Sequence, residues 1–119
     1  MSYIDGFVIP VPTKNVAAYR SLATKCAKIW VEYGALQVVE SIADDVKPGK
    51  YTSFPQSVKQ KKNEKVAFSF IVYKSRKDRD RINALVMKDP RLAKMMDPKK
   101  APFDSKRMIF GGFKAIVEF

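Results

Sequence analysis

The chain has 119 residues, a net charge of +11 and 46% apolar residues, which fits one folded domain over residues 1–119 and excludes a disordered chain. Histidine is absent and Cys26 is the only cysteine, which excludes histidine-based nucleophile pairs, histidine or thiolate metal centres and internal disulfides. No apolar run could span a bilayer and Met1–Asp5 does not resemble a signal peptide, so we expect a cytoplasmic protein with no cofactor, metal or membrane partner.

The first third of the chain predicts a strand, a helix and a second strand. β-forming residues dominate from Tyr3 to Val11. Thr13 is a suitable N-cap for a helix whose apolar residues recur at spacings of three and four, and Gly34 ends that helix as a C′ glycine. The residues from Ala35 to Ile42 predict the second strand.

A connection of about twenty residues, from Asp44 to Lys65, leads to the next strand. A connection of this length favours a functional loop or a lid. Pro48-Gly49 marks a turn within it, and residues 54–60 are expected to form a short helix that Phe54 anchors inward.

The second half of the chain predicts a strand, two helices and a final strand. Residues 66–73 are almost wholly β-branched or aromatic, which is typical of a buried strand. Ser75 caps the helix that follows, and Asp89-Pro90 ends it and begins another. A basic loop over residues 97–107 precedes a strand over residues 108–119, where Gly111-Gly112 indicates a bulge or a close backbone approach.

This order of elements predicts an α+β, ferredoxin-like βαββαβ protomer, in which a four-stranded antiparallel sheet carries both main helices on one face. Both faces of that sheet are apolar, as the third strand shows with Val66, Phe68, Phe70 and Val72 on one side and Ala67, Ile71 and Tyr73 on the other. Leaving such side chains in water forgoes about 1.5–3 kcal/mol each. We therefore expect a homodimer, packed sheet to sheet, with Phe68, Phe70 and Phe110 in the interface.

Several motifs along the chain carry a resemblance to a known family. The longest is the segment from Pro102 to Phe113, and the others are Asp5-Gly6-Phe7, Gly34-Ala35-Leu36, Glu40, the segment from Asp44 to Lys50, and Asp89-Pro90-Arg91. Together they resemble the YbaA-like proteins, the domain of unknown function DUF1428. The resemblance implies a dimeric α+β barrel and implies no activity. The chain departs from the family in its unusually basic stretch from Lys59 to Arg107.

Three residues are candidates for catalysis. Asp5 lies on a central strand among apolar neighbours, where it could act as a general acid or base; the alternatives are an ion pair with Lys106 or Arg107, or a position at a solvent-facing end of the strand. Glu40, on the second strand, could line the same cavity, with an edge charge that opposes aggregation as the alternative. Tyr19 lies on the apolar side of the first helix, where core packing is the alternative.

Asp104, Lys106 and Arg107 form a candidate ligand-binding loop. The two cations could hold an anion, and the alternative is a loop anchored by ion pairs and by the ring of Phe103.

Three functions remain open from the sequence, and it leaves undecided whether the protein is an enzyme. The leading hypothesis is a pocket between sheet and helices for a small anionic or aromatic ligand, with or without the cofactor-independent turnover that several dimeric α+β barrels perform. The second is RNA or other nucleic-acid binding through residues 59–107, a segment with 16 basic and 6 acidic residues that includes Phe68 and Phe70 at base-stacking spacing. The third is a structural or regulatory dimer without catalysis.

Overall fold

The structure, a computed structural model, describes residues 1–119 and contains four strands and four α-helices. In chain order they are β1 (Tyr3–Pro12), α1 (Val16–Glu32), β2 (Gln37–Ile42), α2 (Phe54–Ser57), β3 (Glu64–Tyr73), α3 (Arg76–Met87), α4 (Pro90–Met95) and β4 (Ile109–Lys114). None of the helices has the length and apolar character needed to cross a bilayer.

The strands form one antiparallel sheet in the order β2-β3-β1-β4. This confirms the α+β, ferredoxin-like architecture predicted from the order of elements. The final strand is shorter than predicted and ends at Lys114. It contains no bulge, because Gly111 and Gly112 continue the pairing with Gly6 and Asp5 without a break. Gly112 instead permits a close approach, since a β-carbon at this position would collide with the ring and hydroxyl of Tyr3.

Helix ends follow the predicted chemistry with one exception. Ser75 accepts a hydrogen bond from the backbone of Asp78 at the start of α3, and Asp89 caps α4 in the same way. Gly34 has a φ of 116°, which suits the residue after a helix. The predicted N-cap Thr13 is wrong, because residues 13–15 form a 3-10 turn and α1 begins only at Val16.

The core lies between the sheet and the helices. One cluster joins α1, α3 and α4 to β3 and contains Ile29, Ala35, Ile71, Tyr73, Ile82, Val86 and Leu92. A second cluster lies under the start of α1 and contains Ile9, Val11, Tyr19 and Ala67. The odd-numbered residues of β3 therefore face the helices, and its even-numbered residues face away from them.

We call the side of the sheet without the three longer helices the open face. Strand alternation and register place on it Ile4 and Val8 of β1, Val39 of β2, Phe68, Phe70 and Val72 of β3, and Ile109 and Phe113 of β4. Only α2 crosses onto this face, where the ring of Phe54 packs edge-on against Phe68 at 5.9 Å between centroids. The inward anchor predicted for Phe54 is wrong, because that ring is half exposed on the open face.

Phe110 does not share this face with Phe68 and Phe70, contrary to the grouping expected from the sequence. It pairs with Phe7 in the β1–β4 register and stacks on that ring, on the helical side of the sheet. Phe113, three residues after Phe110 on β4, lies on the open face, where its side chain is 61% exposed and that of Phe68 is 43% exposed. The open face is thus apolar and largely uncovered.

The chain folds into a flat molecule with dimensions of 38 × 37 × 20 Å. It exposes 8490 Å² of surface, whereas a folded monomer of this mass exposes about 6,500 Å². Its radius of gyration of 14.8 Å likewise exceeds the roughly 13.5 Å expected for this chain length. Both excesses fit a flat two-layer shape with an uncovered sheet face and with exposed segments at residues 44–52 and 116–119.

Candidate functional site

A groove of about 930 Å³ runs between α1 and the edge strand β2, on the helical side of the sheet. Small residues of α1, Ala23 and Ala27, keep the helix surface low there, and β2 has no further strand beside it. Apolar side chains supply most of the walls: Val16 and Val31 from α1, and Val38 and Ile42 from β2. Ligand pockets in proteins have volumes of roughly 300–1,000 Å³ and mostly apolar walls, so the groove is suited to a small molecule.

Tyr19 and Glu40 meet in this groove. The Tyr19 hydroxyl donates a hydrogen bond of 2.6 Å to Oε1 of Glu40. Glu40 pairs with Ser69 of β3. Because paired residues lie on the same face of a sheet and Ser69 faces the helices, the side chain of Glu40 also lies on the helical side. The ring of Phe103 packs edge-on against the ring of Tyr19, which fixes the direction of the hydroxyl.

Burial changes the acidity of both partners. It raises the pKa of the Glu40 carboxyl, although hydrogen bonds from Tyr19 and Ser69 act in the opposite direction. Burial, followed by the bond to Glu40, raises the pKa of the Tyr19 hydroxyl as well. The tyrosine therefore remains a donor, and the carboxyl takes up a proton more readily than a carboxyl in water does.

Arg20 and Lys28 line the same groove from α1. They are eight residues apart, so they lie about 12 Å from each other along the helix axis on one side of it. Neither forms an ion pair with a carboxylate of the chain, whereas Glu32 at the end of the groove is bonded to Arg91 at 2.7 Å. The groove thus offers a ligand two free cations and the carboxyl of Glu40.

Asp5 lies elsewhere and is held by protein partners. Its Oδ1 is 3.3 Å from Nη1 of Arg79, and the hydroxyl of Tyr73 lies 3.0 Å from its Oδ2. The expected pairing with Lys106 or Arg107 is wrong, because Asp5 is buried opposite Ile71, on the side of the sheet to which α3 brings Arg79. Asp5 does not line the groove, so the structure does not bring it together with Glu40.

Arg107 ties the basic loop to the sheet. Its guanidinium makes two bonds to Glu64, of 2.6 and 2.8 Å, and one of 3.0 Å to Asp104. These bonds hold the pKa values of the Glu64 and Asp104 carboxyls below their ordinary range. Lys106 is exposed beside them. The geometry of Arg107 and Asp104 is that of a loop anchor, and Lys106 alone keeps its charge free for an anion.

The basic segment 59–107 carries fewer free charges than its composition indicates. All five of its arginines lie within 4 Å of a carboxylate: Arg76, Arg79, Arg81, Arg91 and Arg107. The strand positions on the open face, where Phe68 and Phe70 lie, hold no lysine or arginine. On the strands themselves, Phe68 and Phe70 are thus not interleaved with cations of this segment.

Sequence reasoning missed Arg20 and Lys28 as groove residues. A signal was present, because two cations eight residues apart flank Ala23, Thr24 and Ala27 on one helix side. Small residues on an otherwise amphipathic helix indicate either close packing or a space beside the helix. The sequence does not distinguish these two alternatives. The position of β2 at the edge of the sheet shows that here there is a space beside the helix.

The chain is similar to proteins whose sequences span the same length. The family described as "Protein of unknown function (DUF1428)" matches residues 2–105. The uncharacterized protein YbaA of Escherichia coli strain K12 is 47% identical over 118 residues, which cover 99% of both chains. The uncharacterized protein YbaA of Shigella flexneri matches to the same extent.

Two solved structures share the fold over nearly their whole length. A dimeric ferredoxin-like protein from an uncultured marine organism has a TM-score of 0.57 at 12% identity, with complete coverage of both chains. Rv0793 from Mycobacterium tuberculosis has a TM-score of 0.51 at 11% identity, covering 99% of this chain and 98% of the other. Such identities show the ferredoxin-like fold alone. By sequence, as the motifs from Asp5 to Phe113 predict, the chain belongs to the DUF1428 family.

Proposed function

We propose that this protein is a homodimer that binds a small organic anion with an apolar or aromatic body in the groove between α1 and β2. The observation that carries the proposal is the groove itself, in which apolar walls surround one hydrogen-bonded tyrosine–glutamate pair. Apolar walls with a few convergent polar groups are the usual character of a ligand site.

The charges of the groove support an anion as the ligand. Arg20 and Lys28 are free of protein carboxylates, so a ligand carboxylate or phosphate at the outer side of the groove gains charge-assisted hydrogen bonds. The apolar body of the ligand would then lie along Ala23, Ala27 and Val38. Its far end would reach Glu40, which accepts a hydrogen bond when ionised and donates one when protonated.

The same pair supports proton transfer to or from the bound molecule without a cofactor. A general acid or base works best when its pKa lies near the ambient pH, and burial moves the pKa of Glu40 in that direction. Tyr19 would position the carboxyl by its hydrogen bond. Such turnover requires that the groove first binds the organic anion.

The open face and the surface excess support the homodimer. The chain exposes about 2,000 Å² more than its mass predicts, and the apolar open face, with Phe68, Ile109 and Phe113 in water, is part of that excess. The marine structure with the same fold is described as dimeric. A second copy on the open face would leave the groove free, because the groove lies on the helical side of the sheet.

A thermal-shift screen with aromatic and aliphatic carboxylates and phosphates tests the binding function. A ligand at 100 times its Kd stabilises the folded state by about 2.7 kcal/mol. We expect hits whose shift is lost in Arg20→Ala and Lys28→Ala and kept in Lys25→Ala, an exposed cation of α1 outside the groove. A screen without hits, or hits unaffected by the groove variants, would overturn the proposal and favour a structural dimer.

A further inference from the structure

The last five residues form an ordered tail whose apolar side chains have nothing to pack against. The backbone amide of Ala115 donates to the carbonyl of Ser2 at 3.1 Å. The carboxylate of Glu118 accepts bonds from both the amide and the hydroxyl of Ser2. Ile116 and Val117 are nevertheless 83% and 69% exposed, and Phe119 is fully exposed. Residues 115–119, which we call the tail, are therefore held at the sheet with their apolar side chains in water.

The open face contains a hollow of about 330 Å³ between α2 and the β1–β4 strand pair. Val8 and Ile109 supply its sheet side, and Thr52, Ser53, Phe54 and Ser57 supply the side towards α2. The hollow is large enough for an aromatic or branched aliphatic side chain. No side chain of the same protomer fills it.

The tail and the hollow lie at opposite ends of the same strand pair. The tail follows Lys114, which pairs with Tyr3, and the hollow lies where Val8 pairs with Ile109. Five residues of extended strand separate these ends by about 17 Å. A two-fold axis that runs across the strands, in the plane between two facing sheets, exchanges the two ends. It therefore brings the end of the strand pair at which the tail begins opposite the hollow of the other protomer, within reach of a five-residue segment.

We propose that the tail of each protomer occupies the hollow between α2 and the sheet of a second copy, so that the two protomers clasp each other at both ends of the open face. This inference rests on the homodimer of the proposed function. It adds the direction of the two-fold axis and the segment that closes the interface.

Charge and area favour a second copy as the occupant of the open face. The chain has a net charge of +11, which opposes self-association over most of its surface. The open-face positions of the strands carry no lysine or arginine, so two copies approach there without that repulsion. On that face Phe68, Ile109 and Phe113 are 43%, 45% and 61% exposed, and the same face of a second copy would bury them.

Sedimentation equilibrium of the full chain and of tail variants tests the clasp. We expect the double substitution Ile116→Asp with Val117→Asp to raise the dimer dissociation constant at least 100-fold. Ser57→Trp, which fills the hollow from an exposed position, should raise it as well. Met87→Asp, a similarly exposed apolar residue of α3, should leave it unchanged. Equal dissociation constants for all variants would overturn the clasp while the dimer stands, and a monomeric wild-type chain would overturn the dimer itself.

Disulfide trapping supplies a second readout that does not depend on weakened association. In a Cys26→Ala background, Val117→Cys with Thr52→Cys should form a covalent dimer under mild oxidation, because the two positions are too far apart within one chain. Val117→Cys with Lys25→Cys is the matched control and should remain uncrosslinked. Equal crosslinking of both pairs, or none for the first pair in a sample shown to be dimeric, would contradict the clasp.

Discussion

The Tyr19 hydroxyl lies 2.6 Å from Oε1 of Glu40, and this bond connects the core of the protein to its groove. Tyr19 is buried against β1 and Phe103, whereas Glu40 belongs to an edge strand with β3 as its single neighbour. The bond therefore couples the position of the edge strand to the packing of α1. The groove owes both its shape and the position of the Glu40 carboxyl to this pair.

Tyr19→Phe should destabilise the protein by about 1–2 kcal/mol, because it removes a hydrogen bond to an ionisable group while keeping the ring. It should also raise the pKa of Glu40 further, since the tyrosine bond now lowers it. Urea unfolding measures the first effect, and a carbon-13 NMR titration of the Glu40 carboxyl measures the second. An unchanged carboxyl titration would show that the two groups do not interact in solution.

Glu40→Gln should become more favourable relative to wild type as the pH rises. Burial raises the folded-state pKa of Glu40 above its unfolded value of about 4.3. Between these two values the folded state binds more protons than the unfolded state, so the wild-type stability falls with increasing pH. The substitution removes this loss. Urea unfolding at pH 4 and pH 7 compares the two proteins, and a difference in stability that is independent of pH would contradict the raised pKa.

Arg107→Ala should cost about 1.5–3 kcal/mol, because it leaves the nearly buried carboxylate of Glu64 without its charged partner. Lys106→Ala, the adjacent exposed cation, should change stability by less than about 0.5 kcal/mol. Thermal unfolding of both variants measures the contrast. Similar losses for the two would contradict the role of Arg107 as the anchor of the loop.

The same ion pair predicts a loss of stability in acid. Arg107 lowers the folded-state pKa of Glu64, so the stabilisation is complete above the unfolded pKa of about 4.3 and is lost as the pH falls through the folded pKa. In Arg107→Ala this part of the acid dependence should disappear. Unfolding free energies from pH 6 to pH 2.5 measure it, and identical slopes for wild type and variant would contradict the assignment.

Phe113→Lys should dissociate the proposed homodimer, and Phe110→Lys should not. The two residues lie three apart on β4 and are 61% and 71% exposed, but they occupy opposite faces of the sheet. A lysine on the open face buries an unpaired charge in the interface. Sedimentation equilibrium of both variants gives the answer, and dissociation by Phe110→Lys alone would place the interface on the helical side.

The fold was predictable because local signals agreed along the chain. Period-two apolar strands, the caps at Ser75 and Asp89 and the glycine at Gly34 each indicated the same order of elements, and the structure has that order. The face of Phe110 was not predictable in this way. Strand alternation separates it from Phe113, but only the pairing register with β1 decides which of them shares a face with Phe68, and a shift of one residue would exchange them.

The sequence identified two residues of the site, but it did not predict the contact between them. Tyr19 and Glu40 were each indicated by an unusual polar group on an apolar element, but their meeting depends on the rotation of α1 and on the pairing of Glu40 with Ser69. Asp5 shows the same limit. The sequence indicated, as one alternative, an ion pair between Asp5 and Lys106 or Arg107. In the structure Asp5 pairs with Arg79 instead, because α3 packs over this part of the sheet.

Chemical-shift mapping of a small aromatic carboxylate on the nitrogen-15-labelled protein tests the binding groove most directly. We predict saturable shifts at the amides of Ala23, Ala27, Val38 and Glu40, and none at the open face or around Lys106. Saturable shifts confined to the open face or to the loop at Lys106, or no shifts from any organic anion, would contradict it.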